Sequence, residues 1–340
     1  MKNTIQLLRG ALSPLYDAGE ARAIVRLLLE EVCDLSYADI LLHADDLLLP
    51  PAQSELLRQY AVRLAHGEPV QQVLGYTWFR GRKFAVNREV LTPRPETAEL
   101  VQMVVDNFRG SVENPLDNAA NPVDNRVEKL INNPVENPVE NPVENLVEKP
   151  VENPVDNPLK TAPLRLMDIG TGSGCIALSL AAEIHHSFIT AIDLSTAALT
   201  TARQNAAALN IRNIEFVQLD ILQATALLAN TDINRLSTYD AVVSNPPYIC
   251  RKEAAAMAPN VLNYEPDMAL FVPDTDPLLF YRAIGSYAQG CLKPGGKLYF
   301  EINEAYGPAT CQLLSAQGYQ QVQLHRDFYG KDRFVTAIKS

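Results

Sequence analysis

Apolar positions along the chain repeat with different periods in different stretches, and the changes of period divide it. In residues 1–75 the spacing is helical. Ala23, Ile24, Leu27, Leu28 and Val32 share one face, as do Leu56, Leu57, Tyr60, Ala61 and Leu64, and Ser-Pro, Pro-Pro and Gly-Glu-Pro steps interrupt the pattern. A small helical domain follows from it. Residues 76–92 contain YTWFRGRKFAV, whose alternation around Arg80-Gly81 predicts a hairpin bridging this domain to the next. Over 93–109 a helix starts behind Pro95, with residues 100, 101, 104 and 108 on one face.

From 161 to 340 strand-like and helix-like runs alternate: LRLMDI, a helix over about 174–184, FITAID, a helix over about 196–209, IEFVQLD and YDAVVSN. This is the rhythm of a parallel α/β sheet. KLYFEIN, YQQVQLHR and RFVTAIK then read as strands with one helix, 305–316, among them, which predicts an antiparallel pair at one sheet edge.

Residues 110–160 break the globular pattern with an approximate Asn-Pro-Val-Glu repeat. Proline at every fourth position removes donors and disfavours the helical basin of the preceding residue, and one valine per repeat buries too little to offset ordering entropy. The segment reads as a disordered linker, either an expanded repeat tolerated in a surface loop or a docking tract.

Charge narrows the function. The 340 residues carry a net charge of −11, and the repeat holds ten acids and four bases, so the remaining 289 residues carry −5. No general positive field would attract a phosphate backbone, which disfavours a nucleic-acid coat protein. Arg80, Arg82, Lys83 and Arg88 form one small basic cluster, read as a solvated hairpin face. Five widely spaced cysteines without a C-x-x-C pair or nearby histidines predict neither a disulfide framework nor a metal site. With no run approaching the ~18 apolar residues of a membrane span, the expectation is a soluble, cytoplasmic protein without membrane contact.

The first strand of the α/β region runs into Asp168-Ile169-Gly170-Thr171-Gly172-Ser173-Gly174-Cys175. Alternate glycines let the chain turn sharply and let a ligand lie against bare backbone at the carboxyl end of a strand. A dinucleotide fingerprint would need its third glycine where Cys175 stands, which counts against a nicotinamide oxidoreductase. Asp168 suits a cationic amino group better than a pyrophosphate. Together, D-x-G-x-G-x-G resembles the S-adenosylmethionine loop of the seven-stranded methyltransferases. Asp193 closes the second strand, where its carboxylate could accept both ribose hydroxyls. Asp220 closes the third, where it or the backbone of Ile221 could meet an adenine edge. Either aspartate could equally be a turn or helix cap.

The fourth strand runs into Ser244-Asn245-Pro246-Pro247-Tyr248. Methylating a planar NH2 group requires its delocalised nitrogen lone pair to be held and polarised, so acceptors must grip both N–H bonds. Asn245 offers a side-chain oxygen and Pro246 a carbonyl on a loop stiffened by two prolines, while Tyr248 can lie against the planar group and exclude water. The displacement is governed by proximity and needs no strongly basic residue.

These motifs and their neighbours resemble the release-factor glutamine methyltransferases, the HemK/PrmC family. The matching text is EPVQQVLGYTWFRGRKFAVNREVLTPRPET at 68–97, MDIGTGSGCIALSLA at 167–181, SNPPYI at 244–249, NYEPDMALF at 263–271, KPGGKLYFEI at 293–302 and GKDRFVTA at 330–337. The resemblance implies a seven-stranded Rossmann-like methyltransferase sheet carrying the helical domain and hairpin. It implies S-adenosyl-L-methionine as cofactor and peptide-chain release factors as partners, the acceptor being the amide nitrogen of the glutamine in their Gly-Gly-Gln loop. By the same carry-over Gly170 to Gly174, Asp193, Ile221 and Asn245 would contact the cofactor, and Asn245, Pro246, Pro247 and Tyr248 the glutamine. The helical domain would grip the protein substrate away from that loop. One departure stands out: the family usually follows RPET with glutamate, whereas Ala98 intervenes here before Glu99. Arg94 and Thr97 either shape the pocket wall or serve the helix start. The rival within the same chemistry is a nucleic-acid amino methyltransferase, since bases present the same planar NH2. The mild acidity and the RPET segment favour a protein substrate without sequence-specific nucleic-acid contact.

Overall fold

The computed structural model describes residues 1–44, 47–108, 162–228 and 238–340. The repeat read as a disordered linker lies outside the described residues.

Five helices open the chain: α1 (Lys2–Leu12), α2 (Ala18–Cys33), α3 (Tyr37–Leu42), α4 (Pro51–Ala65) and α5 (Val70–Leu74). Their starts are set locally. The Asp17 carboxylate accepts from the backbone N–H of Gly19 and Glu20 at 2.7 and 2.9 Å, and Pro51 occupies the first turn of α4. Leu12, Leu28, Leu29, Leu57 and Leu64 meet in one apolar core.

The hairpin pairs β1 (Tyr76–Phe79) with β2 (Arg82–Ala85). Arg80 and Gly81 have φ of +48° and +73°, the left-handed pair a two-residue turn needs. The basic cluster placed on a solvated face is instead partly consumed by structure: Arg80 and Arg82 both pair with Glu183. Lys83 sits over the Tyr76 ring at 3.5 Å and Arg88 over Tyr264 at 4.8 Å. The hairpin touches both sides, since Tyr76 Oη donates to Glu31 at 2.5 Å while Asn205 exchanges hydrogen bonds with the backbone of Ala85.

Next come α6 (Pro95–Phe108), β3 (Leu164–Ile169), α7 (Cys175–Glu183), β4 (Ser187–Asp193), α8 (Thr196–Ala208), β5 (Ile214–Gln218), α9 (Ile221–Leu228) and β6 (Tyr239–Ser244). Beyond them are β7 (Ile249–Cys250), α10 (Pro259–Tyr264), α11 (Asp267–Leu270), β8 (Phe271–Val272), α12 (Leu279–Cys291), β9 (Leu292–Glu301), α13 (Gly307–Ala316), β10 (Tyr319–Arg326) and β11 (Asp332–Lys339). Seven strands form one sheet in the order β10-β11-β9-β6-β3-β4-β5, parallel except that β11 runs against both neighbours. That is the edge pairing the pattern predicts.

Side-chain alternation splits the core. Leu166, Ala191 and Val243 face α6 and α7, whereas Met167, Ile192 and Val242 face α9 and α12. α12 escapes the sequence reading, which assigns nothing between YDAVVSN and KLYFEIN. Its apolar face, Tyr281, Ile284, Ala288 and Cys291, is the signal that would have found it. β9 also starts earlier than KLYFEIN, because Leu292 already pairs with Tyr239 before an irregularity that contains Gly295 at φ +77° and ends where Lys297 pairs with Ala241.

Candidate active site

Chain order and strand order together decide where ligands can sit. After β5 the chain returns to lay β6 beside β3, so the crevice opens where β3 and β6 part, outside their carboxyl ends. Ser244 Oγ donates to Ile169 O at 2.6 Å and locks these two ends together. The glycine loop leaves β3 there, and the Asn-Pro-Pro-Tyr loop leaves β6.

Gly170, Gly172 and Gly174 have φ of +77°, +55° and +82°, conformations that disfavour any side chain. Their surroundings differ. A Cβ on Gly172 would meet nothing within 4 Å, so this edge of the loop is bare toward the crevice, while one on Gly174 would come within 3.0 Å of Leu178 Cδ1. Gly174 therefore serves helix packing.

A cleft of about 290 Å³ lies over the loop, and its walls include Gly170, Gly172, Asp193, Asp220, Ile221 and Asn245. Pro246, Pro247 and apolar side chains such as Phe280 and Ile284 complete it. Asp168, Thr171, Ser173 and Gly174 are buried behind this wall rather than on it. Asp193 acts as a cap: Oδ2 accepts from Gly172 N at 2.8 Å and Oδ1 from Ser195 N at 2.9 Å. Burial raises its pKa against those hydrogen bonds. Asp220 likewise accepts from Leu222 N at 2.9 Å at the start of α9. Both aspartates thus cap turns while lining the cleft, so the two sequence readings coexist.

The residues fit S-adenosylmethionine. Asp168 Oδ2 accepts from Thr171 Oγ1 at 2.7 Å and Ala177 N at 3.1 Å, but Oδ1 is buried without a hydrogen-bond partner. Burial pushes this carboxyl up to about 7, opposed by those two donors. The open space beside Gly172 leaves room for a ligand to lie against the backbone of the loop that this buried carboxylate braces. Apolar walls beyond Asp193 and Asp220 match the cofactor's flat heterocycle.

A second cavity of about 230 Å³ adjoins the first, lined by Arg94, Tyr248, Met257 and Val261. The two share Leu91, Asn245, Pro246 and Ala269. Asn245 and Pro246 therefore stand at the seam between two compartments, while Tyr248 belongs to the second alone. Asn303 Nδ2 holds the loop from behind by donating to Tyr248 O at 3.1 Å.

Two residues behind the seam escaped the sequence reading. Glu301, fully buried at the end of β9, accepts from Thr97 Oγ1 at 2.7 Å and from Tyr248 Oη at 3.2 Å. Burial raises it to about 7 despite those donors and the nearby Arg333, and raises the Tyr248 hydroxyl far above its ordinary value. The available signal was an acid between Phe300 and Ile302 in an otherwise apolar strand. Glu265, also buried, accepts from Arg94 Nη2 at 2.6 Å, so Arg94 is tied to the wall of the second cavity. Among the described residues no group of three His, Cys, Asp or Glu side chains is placed to hold a metal ion, and no helix is long and apolar enough to cross a membrane.

Comparison with known proteins adds the family context. A PrmC N-terminal domain model matches residues 6–75, and a methyltransferase domain model matches residues 160–318. A protein of Bacteroides thetaiotaomicron is 35% identical over 337 residues, covering 99% of both chains. One of Flavobacterium psychrophilum is 35% identical over 96% of this chain and 94% of its own, and one of Lactococcus lactis is 33% identical over 83% and 82%. All three are named release factor glutamine methyltransferases.

Proposed function

This chain belongs to the release factor glutamine methyltransferases, and we propose that it methylates the side-chain amide nitrogen (N5) of the glutamine in the Gly-Gly-Gln loop of peptide-chain release factors. Its cofactor is S-adenosylmethionine, which when bound supplies an electrophilic methyl carbon on a sulfonium. The observation that carries the reading is the position of Asn245 and Pro246 on the shared wall of the two cavities. A carboxamide entering from the second cavity meets acceptors before it meets the cofactor cleft.

The chain's own groups then divide the work. Asn245 Oδ1 and the Pro246 carbonyl accept the two N–H bonds of the carboxamide, leaving the nitrogen lone pair directed at the neighbouring compartment. The Tyr248 ring packs on the planar group and keeps water from it. Gly170 and Gly172 present bare backbone to the cofactor, Asp168 braces the loop from behind by accepting from Thr171 and Ala177, and Asp193, Asp220 and Ile221 line the nucleoside end. The helical domain, residues 1–75, supplies the surface for the protein substrate, because a single glutamine offers too little area for selection. Such an enzyme works where release factors work, in the cytoplasm, and the mild net negative charge outside the repeat disfavours a phosphate-tracking surface.

One experiment separates the substrates. The protein is incubated with labelled methyl donor and, in separate reactions, release factor, a release factor whose loop glutamine is alanine, and nucleic acid. Label in the intact release factor alone is the expected result. Label in nucleic acid alone would replace this reading with a base amino methyltransferase.

A further inference from the structure

Thr97 opens α6 and Glu301 ends β9, 204 positions apart, yet their side chains meet behind the seam of the two cavities. The Thr97 hydroxyl has one proton, and it goes to Glu301 Oε2 at 2.7 Å. Its oxygen is then left to accept, which it does from Asn245 Nδ2 at 3.2 Å. Glu301 Oε1 meanwhile accepts from Tyr248 Oη at 3.2 Å. One buried carboxylate therefore sets the polarity of a relay ending on Asn245 and Tyr248, two of the residues that line the second cavity.

Polarity decides what Asn245 can bind. With Nδ2 committed to Thr97, the side-chain oxygen is the atom left for an incoming N–H. A reversed relay, with the Thr97 proton directed at Asn245, would turn the amide over and set N–H against N–H. An ionised carboxylate excludes the reversal because it only accepts. Packing alone does not call for an acid here, since an apolar side chain would fill the site without burying a charge.

We infer that Thr97 and Glu301 are positioning residues for methyl transfer: through Thr97 the carboxylate aims the Asn245 amide oxygen at the substrate carboxamide, and directly it holds Tyr248. The inference rests on the reading of Asn245 as carboxamide acceptor. The relay is poised only while Glu301 is ionised. Thr97 and Glu96 on α6, Tyr248 after β6, Tyr281 on α12, Cys175 on α7 and Arg333 on β11 are the groups that act on or feel its charge. Turnover accordingly rises with pH as Glu301 loses its proton near neutrality.

The test uses the full chain with Thr97→Val, which keeps shape and removes the hydroxyl, Thr97→Ser, which restores it, and Glu301→Gln. Thr97→Val is expected to lower kcat at least about 10-fold, the scale on which lost outer partners of a site act. The KM for release factor and the affinity for S-adenosylhomocysteine should stay within about threefold. Thr97→Ser should recover kcat to within about fivefold, and Glu301→Gln should erase the rise of kcat through neutral pH. Wild-type kcat in Thr97→Val overturns the inference. A second readout needs no substrate: in protein labelled with 15N-asparagine, the Asn245 side-chain NH2 signals, assigned by their loss in Asn245→Ala, should shift in Thr97→Val. Unshifted signals overturn the relay whatever the enzyme methylates. Shifted signals in a protein that methylates only nucleic acid support the relay and overturn the glutamine substrate instead.

Discussion

Arg94 Nη2 donates to Glu265 Oε2 at 2.6 Å, joining the Arg-Pro-Glu-Thr segment at the start of α6 to the Glu-Pro-Asp-Met segment at the start of α11 across 171 positions. The Glu265 side chain is 1% exposed and that of Arg94 is 37% exposed, so a buried carboxylate holds a half-exposed guanidinium that lines the second cavity.

Arg94→Met should leave a buried carboxylate without its cation. The expected loss is about 1–3 kcal/mol, below the figure for a wholly buried pair because Arg94 reaches water. Arg94→Met/Glu265→Gln should recover most of it. Urea unfolding followed by circular dichroism measures both, and a single variant as stable as wild type would remove the pair from the account.

Stability should fall as pH rises toward neutrality. Burial pushes the carboxyls of Asp168 and Glu301 up to about 7 in the fold, whereas the unfolded chain releases those protons near pH 4. The native state thus holds the extra protons. Their stabilising contribution is complete below about pH 4 and is lost as pH climbs through about 7. Glu301→Gln should flatten part of this slope in urea titrations between pH 5 and 8. An unchanged slope would mean that the carboxyl titrates normally.

Two glycines of one loop should fail differently. Gly174→Ala places a methyl 3.0 Å from Leu178 Cδ1 and 3.2 Å from Ala202 Cβ at φ +82°. It should destabilise the fold by about 1–3 kcal/mol. Gly172→Ala sets its methyl in open space at φ +55°, so its larger effect should be on affinity for S-adenosylhomocysteine. Thermal unfolding and calorimetric titration of both variants separate the cases. Equal loss of affinity in the two would count against a ligand beside Gly172.

Excising residues 112–158 and rejoining the ends with a short flexible linker should leave methyl transfer within about twofold, since loop closure depends only weakly on length. Initial rates on release factor check it. A folded deletion protein without activity would give the repeat a working part.

What could be read along the chain is what lies close together in it. Asp168 to Gly174 and Asn245 to Tyr248 are each contiguous, their roles follow from backbone freedom and side-chain type, and alternating periods brought both to one sheet edge. α12 went unread although its apolar spacing was present, and α10 and α11, six and four residues long, have too few turns to show a period. Residues that act through another side chain were out of reach. Thr97 meets Asn245 across 148 positions and Glu301 across 204, and such hydrogen bonds leave no mark on local composition. Nor does sequence state a proton affinity: Asp168 and Glu301 hold protons to about pH 7 because folding removes water from around them, and desolvation belongs to the packed molecule. Residue type and spacing named the chemistry in advance, and tertiary structure alone decided which atoms are aimed, which are buried, and which way each hydrogen bond points.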